Sequence, residues 1–276
     1  MVLLDCVLGA FDPRMFAQDR RVDRRVALRV ALERRSGSPE GQARSTVSAM
    51  DLLYAMRTNG SVRAFRNAAV ADDALARVLD AARFAPSGGN QQGWHVIVLK
   101  DPAVRQKIGS LARMGWNEYA AMTKAGVRPF AADETGNWPG PPPGMDLAVE
   151  ALENRPWPFM DGIENAPVLL VVAVDLRAVA SVDTELDRIG VASGASIYPF
   201  TQNILLAART EGLGGVMTTF LVRREPQAQE VLGLPKYMAI ASLIALGVPE
   251  HQNNKLTRKS VASFATVDRF AGPALA

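Results

Sequence analysis

From Met50 onward the chain alternates between helical spacing of apolar side chains and short apolar runs of strand length. Asp51 to Thr58 predicts a helix with Leu52, Leu53 and Met56 on one side. Asp72 to Phe84 predicts a strongly amphipathic helix. Leu75, Val78, Leu79 and Ala82 share a face, Asp72 and Asp73 favour the N-terminus, and Pro86 stops it. Trp94 to Leu99 alternates weakly and suits a strand. Asp101-Pro102 opens another helix, with proline in its first turn. Ala166 to Val174 is a continuous apolar run, as a strand buried on both faces requires. Ala195 to Gly212 keeps helical spacing through Ile197, Phe200, Ile204, Leu205 and Ala208. Gly214 to Phe220 reads as a strand, Pro226 to Leu232 as a short helix, and Met238 to Leu246 as a second buried strand. No internal repeat is visible. Helices first, then strands separated by helices, fit an α+β sandwich with a mixed central sheet flanked by helices.

Two segments depart from this pattern. Residues 115–160 carry Trp116, Tyr119, Trp138 and Trp157 and the run Trp138-Pro139-Gly140-Pro141-Pro142-Pro143-Gly144. Their proline density predicts an irregular insertion, and a long irregular segment in a compact domain is usually a functional lid. Residues 1–49 are Arg-rich. Gln18 to Arg35 suits a short amphipathic helix and Ser36 to Ser48 a linker, so 1–49 is expected to be a poorly ordered extension, with Met50 a natural start for a body at 50–276.

Composition narrows the function classes. With 276 residues, 48% of them apolar, the chain can bury a core without cross-links. Cys6 is the single cysteine, and His95 and His251 are the only histidines, which leaves no metal centre of the usual kind. The pI of 9.2 invites a nucleic-acid reading. Residues 1–49 hold nine Arg against six Asp or Glu, however, leaving 22 basic and 22 acidic residues in the body. A neutral body has no surplus with which to neutralise a phosphate backbone. The longest apolar run is too short to span a bilayer and no secretory pattern is visible, so a cytoplasmic protein is expected, with no membrane and no nucleic-acid partner.

Four stretches carry candidate chemistry. In Asn59-Gly60-Ser61-Val62-Arg63, a hydroxyl and a planar guanidinium two residues apart can converge on one anion such as a phosphate monoester; equally, they form a polar helix end with a solvated arginine. In Pro86-Ser87-Gly88-Gly89-Asn90-Gln91-Gln92, the glycines allow close backbone approach to a flat ligand. Ser87, Asn90 and Gln92 offer uncharged donors and acceptors, as a uracil-like ring edge requires; the same residues also make an ordinary turn. Gly212 to Thr219 is not a dinucleotide fingerprint, because its glycines enter a strand rather than a helix. Thr218 and Thr219 offer hydroxyls and N–H groups there, or serve simply as strand formers. Lys255 to Lys259 is a small basic cluster.

In this order and spacing the four stretches resemble the FMN-dependent nitroreductase family, from Met50 to about Phe270. The most specific stretch is APSGGNQQGWHVIVL, followed by QNILLAARTEGLGG and LGLP…IALGVP. The Thr218-Thr219 and Arg258-Lys259 pairs also look like the iodotyrosine deiodinase branch. The resemblance implies a nitroreductase-like α+β fold and a homodimer with exchanged terminal segments and two FMN sites, each lined by both chains. It implies that Ser61, Arg63 and Arg258 bind the FMN phosphate, and that Pro86, Ser87 and Asn90 lie along the ring and ribityl chain. Met217, Thr218 and Thr219 would sit near the ring, one threonine close to flavin N5. Asn59, Gly60, Gly88, Gln92 and Lys259 complete the cofactor-binding set. NAD(P)H would be co-substrate in ping-pong hydride transfer to nitroaromatic, quinone or related conjugated acceptors, with Trp116, Tyr119, Trp138 and Trp157 stacking on substrate. Alternatives are a reductive dehalogenase-like or flavin-fragmenting branch, or a non-catalytic flavin-binding protein. The chain departs from the family where Asn59 and Gly60 replace usual basic residues and where Gly93 and Ser260 replace usual prolines.

Overall fold

Four strands form one sheet: β1 (Trp94–Val98), β2 (Val168–Asp175), β3 (Gly214–Thr218) and β4 (Met238–Gly247). This computed structural model describes residues 50–275; the 1–49 extension, with its expected helix and linker, lies outside the described residues. The strand order is β1-β2-β4-β3, so the two apolar runs lie in the centre and the shorter β1 and β3 form the edges. Burial of β2 is complete through Val174, which explains why its sequence does not alternate.

Seven α-helices lie among the described residues. They are α1 (Leu52–Thr58), α2 (Asp72–Ala82), α3 (Pro102–Lys124), α4 (Leu147–Glu150), α5 (Pro158–Asp161), α6 (Tyr198–Thr210) and α7 (Glu225–Leu232). Leu75, Val78 and Ala82 of α2 and Phe200, Ile204 and Ala208 of α6 pack on the sheet face made by Leu170, Val172, Ile244 and Leu246. Ile108 and Ala112 of α3, Phe159 and Met160 of α5 and Ala228 of α7 cover the face made by Leu169, Val171, Leu243 and Ala245. Successive residues of β2 point to opposite faces, so one strand serves both layers.

The α+β class stands as expected, with three differences in detail. Every described strand pair is antiparallel rather than mixed, because the β2–β3 connection crosses over and leaves a place between them that β4 fills in the opposite direction. Second, α3 continues to Lys124, so Trp116 and Tyr119 are helical and the irregular segment begins at Ala125. Asp101 caps this helix by accepting from the N–H groups of Ala103 and Val104, and no proline interrupts it after Pro102. Third, the apolar side of α1 faces outward. Leu52, Leu53 and Met56 are 65%, 58% and 57% exposed, and Ala55 and Thr58 are the buried pair.

Leu243 is fully buried at the middle of β4. Leu243→Ala is expected to cost about 2–5 kcal/mol by leaving a cavity between sheet and α3, read as a lower urea midpoint.

Candidate functional site

Beyond α1 the chain touches the free edge of β3 at Gly215 and then runs beside the residues that follow β4. The Val62 N–H donates to the Gly215 carbonyl at 2.9 Å, and the Arg66 N–H donates to Val248 at 2.9 Å. Val62 is buried, and a Cβ at Gly214 would lie 2.7 Å from its Cγ2, so this close approach needs glycine. With Val62 turned inward, Ser61 and Arg63 are both exposed.

The C-terminal tail closes on the same place. The Gly60 N–H donates to the Asn253 carbonyl at 3.2 Å. The Gln252 amide donates to the carbonyls of Thr58 and Gly60, both at 3.2 Å, while Arg209 donates to Thr58 at 2.8 Å. A side chain at position 60 would collide with the Asn253 carbonyl and lie 2.9 Å from Leu256. Glycine is therefore the residue that this route of the tail admits at position 60. Two residues past Leu256, Arg258 is exposed and donates to Thr257 at 2.8 Å; Lys259 is exposed beside it.

At the far end of β3, Met217 is half-buried and Thr218 is buried, its hydroxyl accepting from the Phe220 N–H at 3.4 Å. Thr219 stands exposed at the corner, ahead of a 3-10 turn over Phe220–Arg224. The expected strand through Phe220 stops short because the chain turns there. Trp116, Tyr119 and Trp157 gather round Phe220: Trp116 is 4.5 Å from Trp157, and Phe220 is 5.6 Å from Trp116 and 5.4 Å from Tyr119, between ring centres. The Arg63 guanidinium lies 5.6 Å from the centre of the Trp157 ring, which ties the Ser61 stretch to this cluster. Trp138 is elsewhere, 5.3 Å from Phe130. Three of the four predicted aromatic residues thus share one place and the fourth does not.

The Pro86–Gln92 loop lies at the opposite edge of the sheet, beside β1. It is shaped by left-handed backbone at Gly89, Asn90 and Gln92. The Ser87 hydroxyl accepts from the Gln92 N–H at 3.0 Å, the Gln92 amide donates to Asn90 at 3.2 Å, and the Gly88 N–H donates to Ser196 at 3.0 Å. Pro86, Gly88, Asn90 and Gln92 are exposed. Within one chain this loop and the Ser61 stretch are held by different neighbours.

A cavity of about 580 Å³ opens beside Arg63, between Phe65, Arg66, Phe159, Asn165 and Glu250. Arg63, Arg66 and Glu250 are the charged residues of its lining.

The decisive packing around Thr219 was not singled out from sequence. Glu118, 1% exposed on α3, takes Arg223 Nε on one oxygen at 2.6 Å and Arg224 on the other. Gly115, one turn earlier, has the Phe220 carbonyl against its Cα; a Cβ there would lie 2.9 Å from that carbonyl carbon. Trp116 donates to the Arg155 carbonyl at 2.8 Å and Asn117 to Ala151 at 3.0 Å. One helical turn thus holds the corner and the end of the 125–157 segment. A Gly-x-x-Glu spacing on a helix of unknown neighbours gives no warning of this.

The 176–192 loop holds the same segment from its other side. The Ile189 N–H donates to Gly136 at 3.0 Å and the Asn137 amide to Asp187 at 3.3 Å. Asp183 organises this loop: the Val191 N–H at 2.7 Å, then Arg188 at 3.0 Å, hold its carboxyl down to about 2.

The Nitroreductase family matches residues 57–248. Relatives include the 4-nitrobenzoate reductase of Nocardioides sp. (strain LMS-CY), 27% identical over 254 residues, covering 84% of this chain and 96% of that one. Another is the NADH dehydrogenase of Thermus thermophilus, 28% identical over 209 residues, covering 75% and 91%. Among solved structures, the BluB-like flavoprotein from Clostridium difficile 630 superposes with a TM-score of 0.55 at 20% identity, covering 80% of this chain and 100% of that one, which speaks to the fold. The chain belongs to the nitroreductase family and is an NAD(P)H-dependent oxidoreductase.

Two outcomes are expected. Gly60→Arg, which supplies the family's usual positive charge, should displace the tail and cost about 1–3 kcal/mol, seen as a lower urea midpoint and faster proteolysis beyond residue 250. Asp183 has its carboxyl below the unfolded value near 3.8, so its contribution is present above that value and is lost as pH falls through about 2. The difference in urea midpoint between wild type and Asp183→Asn should therefore be full at pH 5 and close as pH falls from 4 to 2.

Proposed function

We propose that this chain binds FMN and uses NAD(P)H to reduce flat, conjugated acceptors such as nitroaromatics and quinones, in ping-pong order, as a homodimer. The observation that carries the reading is that the Ser61–Arg63 stretch runs beside the open side of β3, with the tail as far as Leu256 packed against Gly60 and Arg63 on Trp157 of the aromatic group around Phe220, next to exposed Thr219.

The residues present suit the cofactor. A phosphate monoester needs directed donors and positive charge, which the Ser61 hydroxyl and the Arg63, Arg258 and Lys259 side chains offer from exposed positions. A flat ring needs a surface without protruding side chains, and the glycines and left-handed backbone of residues 88–92 offer one. The loop and the phosphate group of residues lie on opposite sheet edges, so a second copy of the chain is the natural way to complete the site. The outward apolar side of α1 and the exposed Phe264 and Phe270 of the tail suit burial in such a dimer.

FMN, when bound, would supply the redox chemistry between NAD(P)H and the acceptor. Thr219, whose hydroxyl is exposed at the corner, is the partner for flavin N5; Thr218 spends its hydroxyl on the turn. Glu118 with its two arginines holds the turn that follows Thr219, so the backbone of that corner is set before ligand arrives. The aromatic group of Trp116, Tyr119, Trp157 and Phe220 forms an apolar wall against which a flat acceptor excludes water.

The purified protein is expected to be yellow, with absorption bands of bound flavin, and to oxidise NAD(P)H when nitrobenzene or p-benzoquinone is added. Arg63→Ala combined with Arg258→Ala should lose FMN on gel filtration. Colourless protein that neither takes up FMN nor oxidises NAD(P)H would overturn the proposal.

A further inference from the structure

Arg223 makes two unlike contacts at once. Its Nε meets buried Glu118 at 2.6 Å, while its guanidinium lies 4.7 Å from the centre of the Phe130 ring and 5.9 Å from that of Trp138. Glu118 already has Arg224, whose side chain is only 14% exposed, on its other oxygen. Charge neutralisation of Glu118 therefore does not by itself account for Arg223. Phe130 adopts a φ of 52°, a left-handed conformation that a bulky residue keeps only when its surroundings hold it. Phe130 and Trp138 bracket the irregular segment on either side of its turn at Asp133–Asn137. Arg223 itself lies four residues beyond Thr219, in the 3-10 turn that begins at the corner.

We propose that Arg223 is a specificity-determining residue: it latches the 125–146 segment, through Phe130 and Trp138, to the Thr219 corner and so sets the size of acceptor the cleft admits. This rests on the reading of that corner as the redox cleft. The chemistry needs arginine. A planar guanidinium can bond a carboxylate through its edge and meet aromatic rings through its face, whereas the ammonium of lysine is a compact charge without a face. Trp138 then acts through the latch rather than by stacking on substrate, in keeping with its separation from the Trp116 cluster.

The test compares the full-length protein with Arg223→Lys, Trp138→Leu and the double variant. FMN content is measured first. Cleavage of the 125–146 segment after Phe130 by a trace of chymotrypsin follows, and then KM and kcat for p-benzoquinone and for bulky 1-nitropyrene. Arg223→Lys keeps the charge beside Glu118 and should fold. It should hold FMN, speed cleavage within 125–146 at least fivefold, and shift the 1-nitropyrene to p-benzoquinone ratio of kcat/KM at least fivefold, through KM. Trp138→Leu should do the same, and the double variant should be no worse than either alone, because both break one latch. An FMN-loaded Arg223→Lys variant with wild-type cleavage and a wild-type acceptor ratio overturns the assignment, as do effects that multiply in the double variant. Wild type without FMN overturns instead the functional reading on which the assignment rests.

Discussion

A carboxylate that water does not reach must find its counter-charges inside the protein, and Glu118 finds two. Either arginine alone balances its charge; losing both would leave it uncompensated, at a cost of about 3–5 kcal/mol in comparable buried pairs. That penalty ties α3 to the turn after β3. The neighbouring Gly115 adds a steric condition, since the turn's backbone lies where any side chain would stand. Thr219, at the start of that turn, inherits a fixed position from contacts it does not make itself.

The second constraint is the route of the tail. Gln252 bridges two carbonyls of the Thr58–Gly60 stretch, and Asn253 accepts from the Gly60 N–H. The tail thereby exchanges a side chain at position 60 for its own backbone. The positive charges of the tail, Arg258 and Lys259, follow Leu256 by two and three residues and are exposed. Binding energy for an anion depends on charge near the ligand, whichever part of the chain supplies it.

Much of the architecture was legible because burial leaves its mark in local composition. The uninterrupted Val168–Val174 run had to be an internal strand, and the spacing of Leu75, Val78 and Ala82 had to be a helix face. Helix ends followed from capping chemistry, as at Asp101-Pro102. The misjudged parts are those where local rules compete with distant ones. The proline density of 115–160 predicts an irregular insertion, yet 115–124, which hold none of those prolines, extend α3, and Trp116 and Tyr119 find partners in Trp157 and Phe220 across the chain. Leu52, Leu53 and Met56 form a correct helix face with nothing among the described residues to cover it.

By itself, then, the sequence determined the kind and place of the main helices and strands, the burial of the two apolar strands, and the set of polar stretches able to meet a phosphorylated flat ring. Those properties depend on neighbours along the chain, through periodicity, capping and glycine. Tertiary structure alone decided that the Ser61–Arg63 stretch runs beside the open side of β3 with the tail as far as Leu256 against Gly60, that Pro86–Gln92 lies at the other edge, and that Arg223 stands between a buried acid and a pair of rings. Such pairings depend on which distant groups the packed sheet brings within a few ångströms, and no local rule encodes that distance.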